Sequence, residues 1–575
     1  MSQLSNFVQN ANPITLTAGE NIAQGDLVSV YGNGKAYYAT STSTGSTSLD
    51  PVSGYLRPFF VNSAAGNSFS SFGFTGYPYY TYVSNIVYYS IKAVTLSNGN
   101  VAIFWYDQNT GYFTFCILTG SGATVVGNTT VFAPGTNQGP LDICAIPNGG
   151  FAVAYAANGT YYYVRTYTNS GTQVLSVQRN PSFATGVGAV KIAPIGTSGF
   201  LIAAGQDYYP YYGEVIPLSN SGTFGTNVTG IQIYATNNGT NSNSNSDLMV
   251  LSNGNFGLVS GGNTNQTYYP YWYIFSATTS AATTLYSGTT NYTGGYSTNI
   301  NAAPDSAGGF FVYQTAQNNV SGYNYLYNIS ATGSAIGTPA LNGFGAYQSN
   351  AAFAVIGSTV YVGLSGYNQQ QIGFASYSWN GSSFTNIANT AYSTSNNPSN
   401  VFLYFVNSST GVNCLIITPS GFTFSPSAGS VTINANAWYE FTFGANLSLG
   451  SASSVSLLAN VSNGHGFAAP LGTLFYPDGN STSSSMLVQC SGANNGGYVL
   501  SYNPTETILP IGVATQAATA NNPVTVQTGG NVTTRLTFTT SGVNANRNVP
   551  AGNNVNLFGN TAEMFGIVSN ARPIN

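Results

Sequence analysis

The sequence predicts an all-β protein, a seven- or eight-bladed β-propeller plus a small β-sandwich or barrel module built from both termini. Three observations support this prediction. The composition favours strands, one strand–turn–strand pattern recurs about every 50 residues, and the two end segments do not share that pattern.

The composition favours strands over helices. Of the 575 residues, 43% are hydrophobic, 43 are Tyr and 33 are Phe, whereas only 4% are charged. Short runs of Val, Ile, Thr, Tyr and Phe are typical of strands. Because the hydrophobic content is too high for disorder, we expect a folded protein whose polar surface consists of Asn, Ser, Thr, Gln and Gly.

A short polar turn between two apolar runs marks the repeat. The pentapeptide LSNGN occurs twice, at Leu96–Asn100 and Leu251–Asn255. Asn and Gly readily adopt the positive φ that tight hairpin turns require, so each such turn predicts a hairpin. Successive turns are 49 to 56 residues apart, and they are centred near Asn98, Asn148, Thr197, Asn253, Ala307, Gly357 and Ser408.

Each repeat continues with an aromatic third strand, such as GYFTFCILT or TYYYVRTYT, and then a short fourth strand. Four antiparallel strands in about 50 residues are typical of a propeller blade. A parallel β-helix would repeat over shorter coils, and separate sandwiches would form modules of about 100 residues. The repeat therefore favours a propeller.

The last repeats are less regular, which leaves the number of blades at seven or eight. Residues 455–470 and 485–503 each look like a hairpin. Closure of a ring of sheets protects its edges and commonly pairs strands from both ends of the ring. We therefore expect residues 485–503 to complete a blade with a strand from residues 55–90.

The ends of the chain predict a separate module. Residues 16–39 and 508–530 do not match the blade pattern. The ends of a domain often lie close together, and such a domain tolerates an insertion. We expect one anchor module, residues 1–55 and 505–575, interrupted by a propeller of residues 56–504. A generic β-sandwich that caps the propeller is the alternative.

The end segments resemble the small β modules of tailed-phage virion proteins, which include capsid decoration proteins, head-fibre proteins and appendage anchors. The resemblance rests on Ala18–Glu20, Gly25–Val30, Gly34–Ala39 and Ile511–Ala514, and it covers about one fifth of the chain. It implies attachment to other virion proteins, assembly in the host cytoplasm and display on the virion surface. The anchoring residues that it implies are Gly25, Asp26, Gly34, Lys35, Gly512 and Val513.

Charge and hydropathy argue against several functions. The nine basic residues are scattered, so we expect neither nucleic-acid binding nor attachment to anionic lipid. No apolar run approaches the ~20 residues of a membrane span, and the N-terminus lacks the features of a signal peptide. Cys116, Cys144, Cys414 and Cys490 lack metal-ligand spacing. We expect buried free thiols, with a Cys116–Cys144 disulfide as the alternative, and no metal or cofactor.

The chain offers few groups for catalysis. Asp142, Asp247 and Lys191 lie near the predicted first strands of blades. Two carboxyl groups about 5–10 Å apart would suit a glycosidase, but hydrogen bonding at blade edges explains these residues as well. His465, in NGHGFA, is interpreted as a turn residue rather than a general base. We therefore expect that the protein is not an enzyme.

Aromatic clusters around Tyr-Pro-Tyr are the predicted binding sites. Two of them, YYPYYGE and YYPYWYI, follow the second strand of successive blades, so we expect them side by side on one face. Pro there favours an exposed turn or edge, and exposed Tyr and Trp suit sugar rings or a protein partner. Packing between blades is the alternative. The candidate residues are Tyr208, Tyr209, Tyr211, Tyr212, Tyr268, Tyr269, Tyr271, Trp272 and Tyr273.

Three functions remain open at this point. The first is a structural virion appendage or decoration protein whose propeller contacts a host-surface glycan or receptor. Virion fibres are usually oligomers, so a homo-oligomer is plausible. The second is a propeller-type glycan depolymerase, which cleavage of host polysaccharide would reveal. The third is an exported cell-surface or S-layer protein.

Overall fold

A computed structural model describes residues 14–18, 21–24, 27–30, 35–38, 68–74, 80–83, 86–89, 91–98, 100–107, 110–118, 124–132, 140–147, 149–157, 160–183, 186–206, 212–233, 246–261, 270–290, 297–316, 324–340, 351–356, 358–366, 370–396, 401–408, 411–418, 421–460, 464–466, 485–491, 497–503, 512–519, 522–527, 530–532, 537–539, 542–544 and 555–557. These residues form strands and turns, with two short 3-10 segments at Ala445–Leu447 and Ala452–Ser454. None of them belongs to a helix that is long and apolar enough to cross a membrane. The all-β prediction is confirmed.

The described residues form eight four-stranded sheets, which we number as blades 1 to 8, with strands one to four in the order in which they lie in the sheet. Blades 1 and 2 consist of Ile91–Thr95, Val101–Asp107, Tyr112–Leu118 and Thr124–Phe132, then Leu141–Ala145, Phe151–Ala157, Tyr161–Tyr167 and Gln173–Arg179. Blades 3 and 4 consist of Val187–Ile195, Gly199–Gln206, Tyr212–Ser219 and Val228–Gln232, then Ser246–Val250, Phe256–Ser260, Tyr271–Ala277 and Ala282–Thr289.

The later blades follow the same order of strands. Blades 5 and 6 consist of Ser297–Pro304, Phe310–Ala316, Asn324–Ile329 and Ala335–Pro339, then Ala352–Ile356, Thr359–Gly366, Gln371–Trp379 and Phe384–Ser393. Blades 7 and 8 consist of Phe402–Ser408, Gly411–Ile417, Ala437–Phe441 and Val455–Asn460, then Gly464–Gly466, Ser485–Ser491, Gly497–Asn503 and Ser68–Phe74. Four smaller strand pairs are Tyr80–Val83 with Ile86–Tyr89, Phe422–Phe424 with Val431–Ile433, Gly530–Val532 with Val555–Leu557, and Thr537–Thr539 with Gly542–Asn544.

Blade 8 takes its strands from both ends of the propeller. Its fourth strand, Ser68–Phe74, precedes blade 1 in the chain, whereas the other three follow blade 7. The prediction that residues 485–503 complete a blade with a strand from residues 55–90 is confirmed, and the sheets number eight. The hairpin predicted at 455–470 is wrong, because Val455–Asn460 belongs to blade 7 and Gly464–Gly466 to blade 8. His465 therefore lies in a first strand, opposite Cys490, and not in a turn.

Burial depends on the position of a strand within its blade. The second strands Val101–Asp107 and Gly199–Gln206 are buried along their whole length, whereas the fourth strand Gln173–Arg179 has no buried residue. A second strand reads as a continuous apolar run because both of its faces are covered. Between blades 1 and 2, for example, the ring centroids of Phe113 and Tyr155 lie 4.5 Å apart.

The two LSNGN segments, Leu96–Asn100 and Leu251–Asn255, form the same turn between first and second strands. In each, the backbone N–H of Leu donates to the carbonyl of the last Asn, at 2.7 and 2.8 Å. The N–H of that Asn donates to the side-chain oxygen of the central Asn, at 3.1 and 3.0 Å. Gly254 has φ +84°, which L side chains rarely adopt.

The ends of the chain form a separate unit that contains a closed five-stranded barrel. The strand order is Ile14–Ala18, Lys35–Tyr38, Leu27–Val30, Gly512–Ala514 and Pro523–Gln527. Both ends of the chain thus supply strands to one sheet, and the predicted module built from both termini is confirmed. Its small core consists of Ala18, Ile22, Val28, Ala36, Ala514, Ala518, Val524 and Val526. The exact limits 1–55, 56–504 and 505–575 stay predictions.

The predicted anchoring residues are partly visible in this barrel. Lys35 lies opposite Thr17, and Gly512 and Val513 lie opposite Val28 and Leu27 in the strand register. Gly25, Asp26 and Gly34 lie outside the described residues. The structure therefore places three of the six candidates in barrel strands, and their anchoring role stays a prediction.

The cysteines are structural where they are described. Cys116, Cys144 and Cys414 are buried free thiols, so the alternative Cys116–Cys144 disulfide is not formed. Burial raises the pKa of the Cys116 thiol to about 12, which leaves it protonated and unreactive. The side chain of Cys490 lies outside the described set.

We expect Gly254→Ala to lower the free energy of unfolding by about 1–2 kcal/mol, because the Cβ of Ala is strained at the positive φ of this turn. Space is not the cause, since a Cβ at Gly254 would meet no atom within 4 Å. Gly127→Ala is the matched control, because Gly127 is equally open but lies in a fourth strand without a positive φ. Urea unfolding followed by tryptophan fluorescence measures both. Equal stability of the two variants would contradict the assigned role of the turn.

Candidate functional site

The predicted aromatic residues are only partly described. Tyr212 and Tyr271 are the first residues of the third strands of blades 3 and 4. Their registers differ, because Tyr212 comes just before the Gly213 that lies opposite Gly205, whereas Tyr271 lies opposite Ser260. The side chain of Tyr212 is 46% exposed, and Tyr271 is half-buried. Tyr208, Tyr209, Tyr211, Tyr268 and Tyr269 lie outside the described residues, so their binding role stays a prediction.

Trp272 and Tyr273 are buried, so their predicted exposure is wrong. Trp272 is 4% exposed, and its ring covers Gly288 in the adjacent fourth strand so closely that a Cβ there would lie 2.4 Å from it. The hydroxyl of Tyr273 accepts a hydrogen bond from the backbone N–H of Gln232 at 2.8 Å, which ties blade 4 to blade 3. Both faces of a third strand are covered by neighbouring blades, so successive aromatic residues there pack in the core.

Four successive blades nevertheless have a tyrosine at the start of the third strand. The third strands of blades 1 to 4 all begin with Tyr, whereas those of blades 5, 6 and 7 begin with Asn, Gln and Ala. Tyr112 is 39% exposed, and Tyr161 is half-buried. We call Tyr112, Tyr161, Tyr212 and Tyr271 the tyrosine row. The first three share one register, and Tyr271 lies two residues deeper in its blade. Tyr112 and Tyr161 do not belong to a Tyr-Pro-Tyr motif, so the sequence analysis did not single them out. An alignment of the third-strand starts would have found them.

Charged side chains occupy one equivalent position on the first strands of the same four blades. In the register of first and second strands, Lys92 lies opposite Phe104, Asp142 opposite Ala154, Lys191 opposite Ala203 and Asp247 opposite Val259. The sign alternates from blade to blade. The chain has only nine basic and thirteen acidic residues, so four of them at one level of the first strands is a marked concentration. We call Lys92, Asp142, Lys191 and Asp247 the charged arc.

The four charges of the arc interact with one another. Asp142 Oδ2 accepts a hydrogen bond from the backbone N–H of Ile192 at 3.0 Å, beside Lys191. Burial lowers the pKa of Lys191 to about 8, helped by the charge of Lys92 and opposed by the two carboxylates. Burial also raises the pKa of Asp247, and the two lysines oppose this shift. Lys191 is 3% exposed, whereas the other three are half-buried.

The tyrosine row and the charged arc lie toward the same end of the sheets. First and third strands run in the same direction, and both begin at that end. In blade 2, Tyr161 pairs with Ala157, three residues along the second strand from the Ala154 partner of Asp142. Three residues at ~3.4 Å each place the arc about 10 Å deeper in the blade than Tyr161. First and third strands are two strand spacings apart, which places the arc about 10 Å closer to the propeller centre.

The charged arc places a lysine between two carboxylates. Across the described ranges, no group of three or more His, Cys, Asp or Glu is arranged to hold a metal ion. Lys191 lies on the blade between those of Asp142 and Asp247, so a cation separates the two carboxylates that a glycosidase would need. The sequence had placed Asp142, Lys191 and Asp247 near first strands of blades, and it had not singled out Lys92. The absence of catalysis stays a prediction.

A second charged cluster, around Glu214, is structural. The Glu214 carboxylate of blade 3 is fully buried and accepts hydrogen bonds from Tyr162 and Arg179 of blade 2 at 3.0 to 3.2 Å. Ser182 and Asn227 donate to it as well, at 3.0 and 2.8 Å. Burial alone would raise the pKa of Glu214, but the hydrogen bonds and the charge of Arg179 outweigh it and hold this pKa below its usual value. The carboxylate therefore joins two blades in its ionised form.

We expect Glu214→Gln to lower the free energy of unfolding at pH 7 by about 2 kcal/mol, because an amide cannot replace an ionised acceptor of five hydrogen bonds. The pKa of Glu is about 4.3 in the unfolded chain, and the pKa of Glu214 in the folded protein is lower. The stabilisation by ionised Glu214 is therefore present above about pH 4.3 and is lost as the pH falls through the folded pKa. The difference between wild type and variant should therefore shrink in acid. Thr229→Ala, exposed on the same blade, is the control. A difference that does not depend on pH would contradict the assigned ionisation.

Comparison with known proteins extends only to the fold. No protein-family model matches the chain, and no curated protein matches it. The chain is similar to the WD40 domain of SCAP from fission yeast (9% identity, 81% of this chain and 98% of that chain covered, TM-score 0.44). It is also similar to the Dos1 propeller (10%, 76% and 95%, 0.42) and to the β-propeller domain of the Trilobed protease from Pyrococcus furiosus (10%, 67% and 99%, 0.33). The eight four-stranded sheets make the chain a β-propeller protein.

Proposed function

We propose that this protein is a non-enzymatic virion appendage of a tailed phage. The terminal barrel attaches it to other virion proteins of the capsid or tail, and the propeller faces outward for attachment to a host-surface glycan or receptor. It assembles in the host cytoplasm and is displayed on the virion surface. The observation that carries the proposal is the barrel built from both ends of the chain.

The barrel supports an anchoring role through its strand pairing. The segments that resemble phage virion modules include Leu27–Val30, Lys35–Tyr38 and Gly512–Ala514, and these three strands are consecutive in the barrel sheet. Residues far apart in the sequence thus form one small module. A propeller inserted into a module of this kind is displayed without interrupting the fold of its host.

The tyrosine row supports attachment by the propeller. Tyr112 and Tyr212 are 39% and 46% exposed at equivalent strand starts, and half-buried Tyr161 and Tyr271 complete the row. Tyr offers a flat apolar face with a hydroxyl at its tip, which suits the C–H faces and hydroxyl groups of sugars. Net charge contributes little, since the chain carries a net charge of only -4.

We expect Tyr212→Ser to weaken glycan binding by the purified protein about tenfold, because truncating an exposed aromatic contact costs on the order of 1.4 kcal/mol of binding free energy. Val174→Ser is the matched control, since Val174 is 68% exposed but lies on the fourth strand of blade 2. Glycan-array screening followed by fluorescence titration of the bound glycan measures both variants.

Two results would contradict the proposal. Release of new reducing ends from the bound glycan by the wild-type protein would identify a depolymerase. Absence of the chain from purified phage particles, tested with an antibody against the propeller, would exclude a virion role.

A further inference from the structure

We propose that the charged arc is a binding subsite for one uncharged sugar unit, the terminal unit of a glycan whose preceding units lie on the tyrosine row. This inference rests on the proposed function in glycan attachment and names the site and the class of sugar. The arc consists of Lys92, Asp142, Lys191 and Asp247, one residue from each of blades 1 to 4.

The alternation of charge selects an uncharged ligand. Two cations and two carboxylates neutralise one another at one level of the first strands. A ligand with a net charge would add an uncompensated charge to a largely buried site, which is costly. A neutral polyol adds none, and its hydroxyl groups can donate to carboxylate oxygens and accept from ammonium groups.

The burial pattern shows which side chains of these strands reach solvent. Lys92, Asp142 and Asp247 are half-buried, whereas the residues directly before them, Ile91 and Leu141 among others, are fully buried. Solvent therefore reaches the first strands at the level of the arc. Asn301 is half-buried at the equivalent position of blade 5, opposite Tyr313, and adds an amide at the level of the arc.

Stability alone does not account for the arc. A buried ion pair is a weak contributor to stability, and apolar residues of similar volume commonly serve as well. The neighbouring positions of these first strands are indeed apolar: Ile91, Leu141, Val190 and Ile192 are all buried. The Glu214 cluster shows how this protein ties blades together with charge, namely with one carboxylate that accepts five hydrogen bonds.

The spacing between the row and the arc determines the length of the ligand. The arc lies about 10 Å deeper than Tyr112 or Tyr161 and about 10 Å closer to the propeller centre. A single sugar cannot touch both surfaces, whereas an oligosaccharide of a few units can. Affinity should therefore rise with chain length until both surfaces are occupied.

The test is calorimetric titration of the full-length protein with uncharged oligosaccharides of one to four units from the glucose, galactose and N-acetylglucosamine series. We expect Lys92→Gln and Asp247→Asn each to weaken binding of the longer oligomers about tenfold, since each removes a charge-assisted hydrogen bond. The two variants change the net charge in opposite directions. Weakening in both therefore reports hydrogen bonding to a neutral ligand rather than long-range attraction.

The controls separate the outcomes. Thr385→Asn, exposed on the fourth strand of blade 6, should bind as the wild type does, and melting temperatures within a few degrees of the wild type show that the variants are folded. Wild-type affinity in both arc variants, with weakened binding in Tyr212→Ser, would overturn the arc subsite and leave the proposed attachment intact. Opposite effects of the two arc variants, or a preference for acidic sugars, would overturn the neutral ligand. If the wild type bound no saccharide, glycan attachment and the subsite would both fail.

Discussion

The face-to-face packing of blade sheets is the constraint on which the rest of this structure depends. Second and third strands are covered on both faces, so they are filled with aromatic and branched residues. Between blades 1 and 2 the rings of Phe113 and Tyr155 are 4.5 Å apart, and those of Phe115 and Tyr167 are 4.7 Å apart. This packing explains how a chain with 4% charged residues carries 14% aromatic ones. Charged residues are correspondingly few in the second and third strands, and a buried one such as Glu214 is fully hydrogen-bonded.

Within that constraint the few charged residues divide by their surroundings. Glu214 is fully buried and accepts hydrogen bonds from four side chains, which saturates its oxygens and makes it a joint between blades. The arc is different, because Lys92, Asp142 and Asp247 are half-buried and reach solvent. A carboxylate whose oxygens are already hydrogen-bonded cannot accept a further hydrogen bond from a ligand. Donors and acceptors that reach solvent can form hydrogen bonds with a ligand. The same residue types thus serve structure in one place and suit binding in the other.

The fold could be predicted from the sequence because its signals are local. Asn and Gly at a turn, as in Leu251–Asn255, act through φ and one side-chain hydrogen bond, so the repeat and its hairpins were visible before the structure. Burial of Trp272 could not be predicted, because its covering residues come from an adjacent strand and a neighbouring blade. The arc was predicted only in part, since Asp142, Lys191 and Asp247 were placed near first strands and Lys92 was not. Its four residues share a level only through strand register, which no single stretch of sequence reveals.

The charges on the first strands of blades 1 to 4 are the main support for the proposed attachment. Blades 5 to 7 have the same order of four strands and no charged residue on their first strands, so the strand order does not require one. Blade 5, for example, has Asn301 at the level of the arc. Tyrosine and charge nevertheless occur together in each of blades 1 to 4. This coincidence supports the proposal that one ligand contacts this side of the propeller.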